Sequence, residues 1–92
     1  MRKRFSRDER KKQLVRTLRD RGVETTRQLA MRIGMSPNSS SYVGDILNEL
    51  YCEGWVWCRS GQTNVGIATA IVWGLEPIAQ GMEYDGQYLF PF

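Results

Sequence analysis

Three consecutive hydroxyls, Ser39, Ser40 and Ser41, follow Pro37-Asn38. A serine becomes a nucleophile only when a neighbouring base takes its proton. The 92 residues contain no histidine, the commonest such base. Cys52 and Cys58, with five residues between them, are the only cysteines. Two thiolates without histidine do not make an ordinary zinc site. They are expected as reduced thiols packed like small hydrophobes. No carboxylate pair, phosphate-cradling glycine loop or nucleophile–base set appears elsewhere. The chain therefore reads as a non-enzyme with no cofactor and no metal. What remains is recognition chemistry: amides and hydroxyls that both donate and accept, and guanidinium groups that favour anions.

The charge distribution points the same way. Thirteen Lys and Arg against ten Asp and Glu leave a net charge of +3. Met1–Arg32 hold 12 basic and 4 acidic residues, net +8; Ile33–Phe92 hold 1 basic and 6 acidic, net −5; the two sum to +3. One strongly positive end is the footprint of a polyanion binder, either nucleic acid or an anionic membrane surface. Hydrophobic content of 41 % and charged content of 25 % are ordinary for a globular domain. No apolar run is long enough to span a bilayer, and no signal-peptide core follows the N-terminus. One small cytoplasmic domain without membrane contact is expected.

These groups need elements to position them. Residues 1–5 (MRKRF) form a basic arm with little to bury. Ser6-Arg7-Asp8-Glu9 fits a capping box that opens a first helix. Leu14, Val15 and Leu18 give it an apolar stripe, and Gly22 stops it. Thr25-Thr26-Arg27-Gln28 opens a short second helix with Leu29, Ala30 and Ile33 inward and Gly34 as its stop; Met35 turns into the core. Ser36-Pro37 starts a third helix, serine as cap and proline at the first helical position. Tyr42, Val43, Ile46, Leu47 and Leu50 form its buried face, and Gly54 ends it. The period then changes. Trp55–Cys58 and Ile67–Leu75 read as strands around a polar hairpin loop, Arg59–Gly66, and Pro77 blocks continuation of the second strand. Trp55, Trp57 and Trp73 are expected in core or dimer packing. The aromatic tail 76–92, with Tyr84, Tyr88, Phe90 and Phe92, either seals the core or pairs two copies.

Three helices followed by a hairpin, with Gln28-Leu29-Ala30 and Gly34-Met35-Ser36 around the turn, resemble the winged helix-turn-helix family. Leu50-Tyr51-Cys52-Glu53-Gly54-Trp55-Val56 is similar to that family's junction between recognition helix and wing, and Ile71-Val72-Trp73-Gly74-Leu75 to its return strand. The resemblance covers about residues 8–75 and implies an α+β domain, residues 6–75, with a C-terminal hairpin wing.

The function it implies is sequence-specific binding of double-stranded DNA by a transcriptional regulator. The third helix would enter the major groove with Asn38, Ser39, Ser40, Ser41 and Asn48 at base edges. It carries no Arg or Lys, and Asp45 lies on its outer face. Phosphate or minor-groove contacts then fall to Arg2, Lys3 and Arg4 of the arm, to Arg27 and Arg32 on one side of the second helix, and to Arg59, Gln62, Thr63 and Asn64 of the wing. Arg7, Arg10, Lys11, Arg16 and Arg19 are further candidates. A homodimer through residues 82–92 would read two half-sites. The alternative is a winged-helix module whose partner is another regulator or a transcription-machinery protein.

Overall fold

The computed structural model describes residues 5–62 and 69–89. The expected contacts of Arg2, Lys3, Arg4, Thr63 and Asn64 lie outside the described residues, as do Phe90 and Phe92.

Helix α1 (Arg7–Arg21) opens with the expected capping box: the Ser6 hydroxyl accepts from the Glu9 amide, and the Glu9 carboxylate accepts from the Ser6 amide. It stops at Gly22, whose φ of 82° suits a residue without a Cβ. A two-residue strand, β1 (Glu24–Thr25), follows; periodicity gave no sign of so short an element. Thr25 is also the cap of α2 (Thr26–Arg32), in a second reciprocal box with Gln28. Ser36 caps a single 3-10 turn, Pro37–Ser39, so the regular helix α3 (Ser40–Cys52) begins later than the serine–proline signal alone implies.

Strands β2 (Val56–Gln62) and β3 (Thr69–Leu75) pair antiparallel, and β1 adds to the far edge of β3, giving the order β1-β3-β2. The polar segment expected as a loop from Arg59 is strand as far as Gln62. Arg59 thus sits within the ladder opposite Val72, not at a hairpin tip. Pro77 opens a 3-10 turn after β3 ends.

One face of the sheet covers the helices. Val56, Trp73 and Leu75 join Leu14, Val15, Leu18, Leu29, Ala30, Val43, Ile46, Leu47, Leu50 and Trp55 in one buried cluster, with Ile33 and Met35 partly buried against it. Each fully buried aliphatic chain contributes about 1.5–3 kcal/mol. The two buried indoles find partners: Trp73 Nε1 donates to Thr26 Oγ1 at 2.8 Å and Trp55 Nε1 to the Gln87 carbonyl at 2.7 Å. Tyr42 departs from expectation and is exposed. It lies about 90° from the centre of α3's buried stripe at 100° per residue, and its ring meets the Arg7 guanidinium at 5.6 Å. Cys52 is exposed as well, correcting the expectation of two packed thiols, whereas Cys58 packs on the core.

The tail closes the core from below. Tyr84 is buried and packs its ring 5.1 Å from that of Trp55. Its hydroxyl donates to Glu53 Oε1 at 2.7 Å. The other Glu53 oxygen receives Lys11 Nζ at 2.6 Å, and the same ammonium lies 3.0 Å from Glu49. Lys11 and Glu53 are only 6 % and 8 % exposed. The Leu89 amide bonds the Glu53 carbonyl at 2.7 Å. Lys11, a candidate for phosphate contact by charge alone, is instead a core residue. Its phase is that of the apolar stripe, three residues before Leu14 and seven before Leu18.

Burial by itself would depress the Lys11 pKa; the hydrogen bonds to Glu53 and Glu49 outweigh it and hold the ammonium above its ordinary 10.5. Burial, with the bond to Glu53, pushes the Tyr84 phenol up to about 12. Both folded values exceed the unfolded ones. Their stabilisation is therefore complete below about pH 10 and lost as pH rises through the folded values. We expect Lys11→Met to lower stability by about 3–5 kcal/mol near neutrality by leaving Glu53 with a lost partner. Denaturant melts across pH check this: the gap between wild type and variant should narrow above pH 10.5. A gap independent of pH would contradict the account.

Candidate functional site

An amphipathic helix buries one stripe and presents the opposite one. With Val43, Ile46, Leu47 and Leu50 inward, α3 turns Ser41, Asp45, Asn48 and Cys52 outward at spacings of four, three and four. Asn38, on the preceding turn, is exposed too. None of the Asn38, Ser41, Asp45 or Asn48 side chains has a hydrogen-bond or ion-pair partner among the described residues. Ser39 and Ser40 differ: both are half-buried, and the Ser40 hydroxyl donates to the Pro37 carbonyl at 2.6 Å. Ser40 stabilises the turn, so the outward polar set is Asn38, Ser41, Asp45 and Asn48.

No cation lies within that set, but one borders it. Arg7, at the start of α1, pairs with Glu49 through its side chain and lies over Tyr42. The bond to Glu49, with the added charge of Asp45 nearby, raises its pKa further. Arg7 and then Lys11 hold the Glu49 carboxyl below its usual value.

Among the described residues, most cations of the first third are engaged by partners within the chain. Arg16 and Arg19 both reach Glu83, at 3.0 and 3.2 Å, and hold that carboxyl low. Arg19 also donates to the carbonyls of Ala79 and Gln80. Arg10 donates to Gln13 and to the Ile33 carbonyl. The charge asymmetry between the two parts of the sequence is thus largely self-complementary: basic α1 docks on the acids of α3 and the tail. Lys12, Arg21 and Arg27 are left without a partner among the described residues.

Arg27 and Arg32 are both exposed, yet they do not share a side. Five residues of helix place them about 140° apart. Arg32 pairs with Glu24 at 3.3 Å and lines grooves against α1 with Arg21, Gln13 and Thr17. Arg27 lies on the other flank, one residue from Thr26, whose methyl faces Gly44 of α3. The two therefore flank the buried stripe of α2 on opposite sides.

On the outer face of the sheet, Trp57 lies across Gly74, its partner in the ladder. A Cβ on Gly74 would overlap the indole. The Arg59 guanidinium stacks on the same ring, 5.4 Å from its centroid, so an otherwise free side chain is held against the strand. The alternation of Trp57 and Arg59 signals a shared face; their stacking depends on the missing side chain of Gly74 across the ladder.

Among the described residues no helix is long and apolar enough to cross a membrane, and no cluster of His, Cys, Asp or Glu is gathered to hold a metal ion. The sheet's outer face gives a direct test. Gly74→Ala should destabilise by about 1–3 kcal/mol through overpacking, and tryptophan fluorescence should report Trp57 displaced into water. Unchanged stability and emission would show that the indole does not need the glycine. Comparisons of this chain with protein-family models, with curated proteins and with solved structures gave no match.

Proposed function

We propose that this chain is a winged helix-turn-helix protein that binds double-stranded DNA sequence-specifically as a transcriptional regulator, with α3 in the major groove. The observation that carries the reading is the outward stripe of α3, whose polar side chains have no hydrogen-bond partner among the described residues. The element order α1-β1-α2-α3-β2-β3 and the sheet order β1-β3-β2 support it, because a winged helix has this arrangement. An α-helix fits the width of the major groove, and amides and hydroxyls on its outer face match base-edge donors and acceptors.

Affinity needs cations on phosphates. Arg27, without a partner among the described residues, and Arg59, braced on Trp57, supply them. Arg2, Lys3 and Arg4 add an arm for the backbone or minor groove. Pairing of two copies through residues 82–92 would double the base pairs read. In that segment Tyr84 is committed to its own core, which leaves Tyr88, 65 % exposed, as the described aromatic for a partner.

A second reading, docking of a regulatory or transcription-machinery protein, is favoured by one feature. An apolar groove of about 460 Å³ lies at the far end of α3, lined by Tyr51, Val56, Pro77, Ile78 and Leu89.

Fluorescence anisotropy on a random duplex pool, across a salt series, separates the two. DNA binding should weaken steeply with salt, and Arg27→Ala and Arg59→Ala should each reduce the log–log slope by about 0.9. No binding at low salt would turn the assignment to a protein partner.

A further inference from the structure

Asp45 stands at the centre of the exposed stripe of α3, between Ser41 and Asn48, with no hydrogen-bond partner among the described residues. An ionised carboxylate only accepts. Phosphates repel it, and so do most groups on base edges in the major groove. Guanine presents two acceptors there, N7 and O6; thymine presents O4 and a methyl group. Only the amino groups of cytosine and adenine donate. On adenine the acceptor N7 lies beside the amino group and opposes a carboxylate, whereas cytosine carries no acceptor on its own major-groove edge.

Asn38 and Asn48 have the complementary chemistry. Each amide can donate to adenine N7 while accepting from N6. Asn48 is three residues from Asp45, about 4.5 Å along the helix axis, close to the spacing of neighbouring base pairs. The absence of Arg and Lys from Ser40–Cys52 means that α3 brings no cationic fork for guanine. Arg7 flanks Asp45 from α1 but is committed to Glu49 and Tyr42, so it offsets the carboxylate's charge without displacing it from the groove.

We infer that Asp45 is the specificity determinant of the proposed DNA site, and that it selects a cytosine whose neighbouring position, read by Asn48, is adenine. This rests on the DNA-binding reading above. Asp45 acts by exclusion as well as by contact. Over any other base the unpaired carboxylate meets acceptors, so its contribution is greatest to discrimination and negative for binding to random sequence.

The test is selection of tight-binding duplexes from a random pool by wild type, Asp45→Ala and Asp45→Asn, with anisotropy on the selected and scrambled duplexes. Circular dichroism checks that the three fold alike, as substitution at an exposed position should allow. Wild type should enrich cytosine at one position of the site, with about tenfold preference over the other bases. Asp45→Ala should lose that preference and bind scrambled DNA more tightly. Asp45→Asn should move the preference to adenine and leave the other enriched positions in place. The same cytosine enriched by all three proteins would overturn the inference while leaving DNA binding intact. Failure of wild type to bind any duplex at low salt would instead remove the reading on which it rests, and the inference with it.

Discussion

Lys11 must lose its water to enter the core between α1, α3 and the tail, and only the two carboxylates of Glu49 and Glu53 make that burial tolerable. Isolated burial of an ammonium or a carboxylate costs several kcal/mol, and a pair offsets it only when the remaining lone pairs are satisfied. Here they are. Glu53 accepts from Lys11 on one oxygen and from Tyr84 on the other, and its backbone carbonyl takes the Leu89 amide. A single residue at the end of α3 thereby fixes the first helix and the C-terminal segment. The outward direction of Asp45 and Asn48 follows, because the phase of α3 is locked by Glu49 and Glu53 on one flank and by the apolar stripe behind.

The same docking explains why net charge is a poor guide to this surface. By sequence the first third carries +8, and a polyanion partner is the natural inference. In the fold, Glu49, Glu53 and Glu83 absorb Arg7, Lys11, Arg16 and Arg19. The exposed pairs of Arg16 and Arg19 with Glu83 add little stability, but together with the buried Lys11 pair they remove cations from the inventory available to a ligand. The proposed interface is consequently lean. It relies on a neutral-to-acidic recognition surface and few braced cations, which favours discrimination over raw affinity.

Features set within a few residues were legible in the sequence. Both capping boxes, the glycine stop at Gly22 and the inward positions of α3 from Val43 to Leu50 depend on local spacing. Long-range features were not. Strand β1 exists because Glu24 and Thr25 pair with Trp73 and Val72, nearly fifty residues away. Arg27 and Arg32 separate because five residues overrun one helical turn by about 140°, and because Glu24 draws Arg32 aside. Lys11 carried the right phase for the core, but its type concealed it until Glu53 and Tyr84 were seen to face it. Ser40 looked like Ser41 and differs through its partial burial and its bond to the Pro37 carbonyl.

The most direct measurement is amide chemical-shift mapping of the full chain titrated with a duplex selected by the protein. Shifts concentrated at Asn38, Ser41, Asp45 and Asn48, with Arg27 and Arg59 at the margins and the groove of Tyr51, Ile78 and Leu89 unmoved, are what the account predicts. Shifts confined to that groove or to α1, with the outer face of α3 silent, would contradict it.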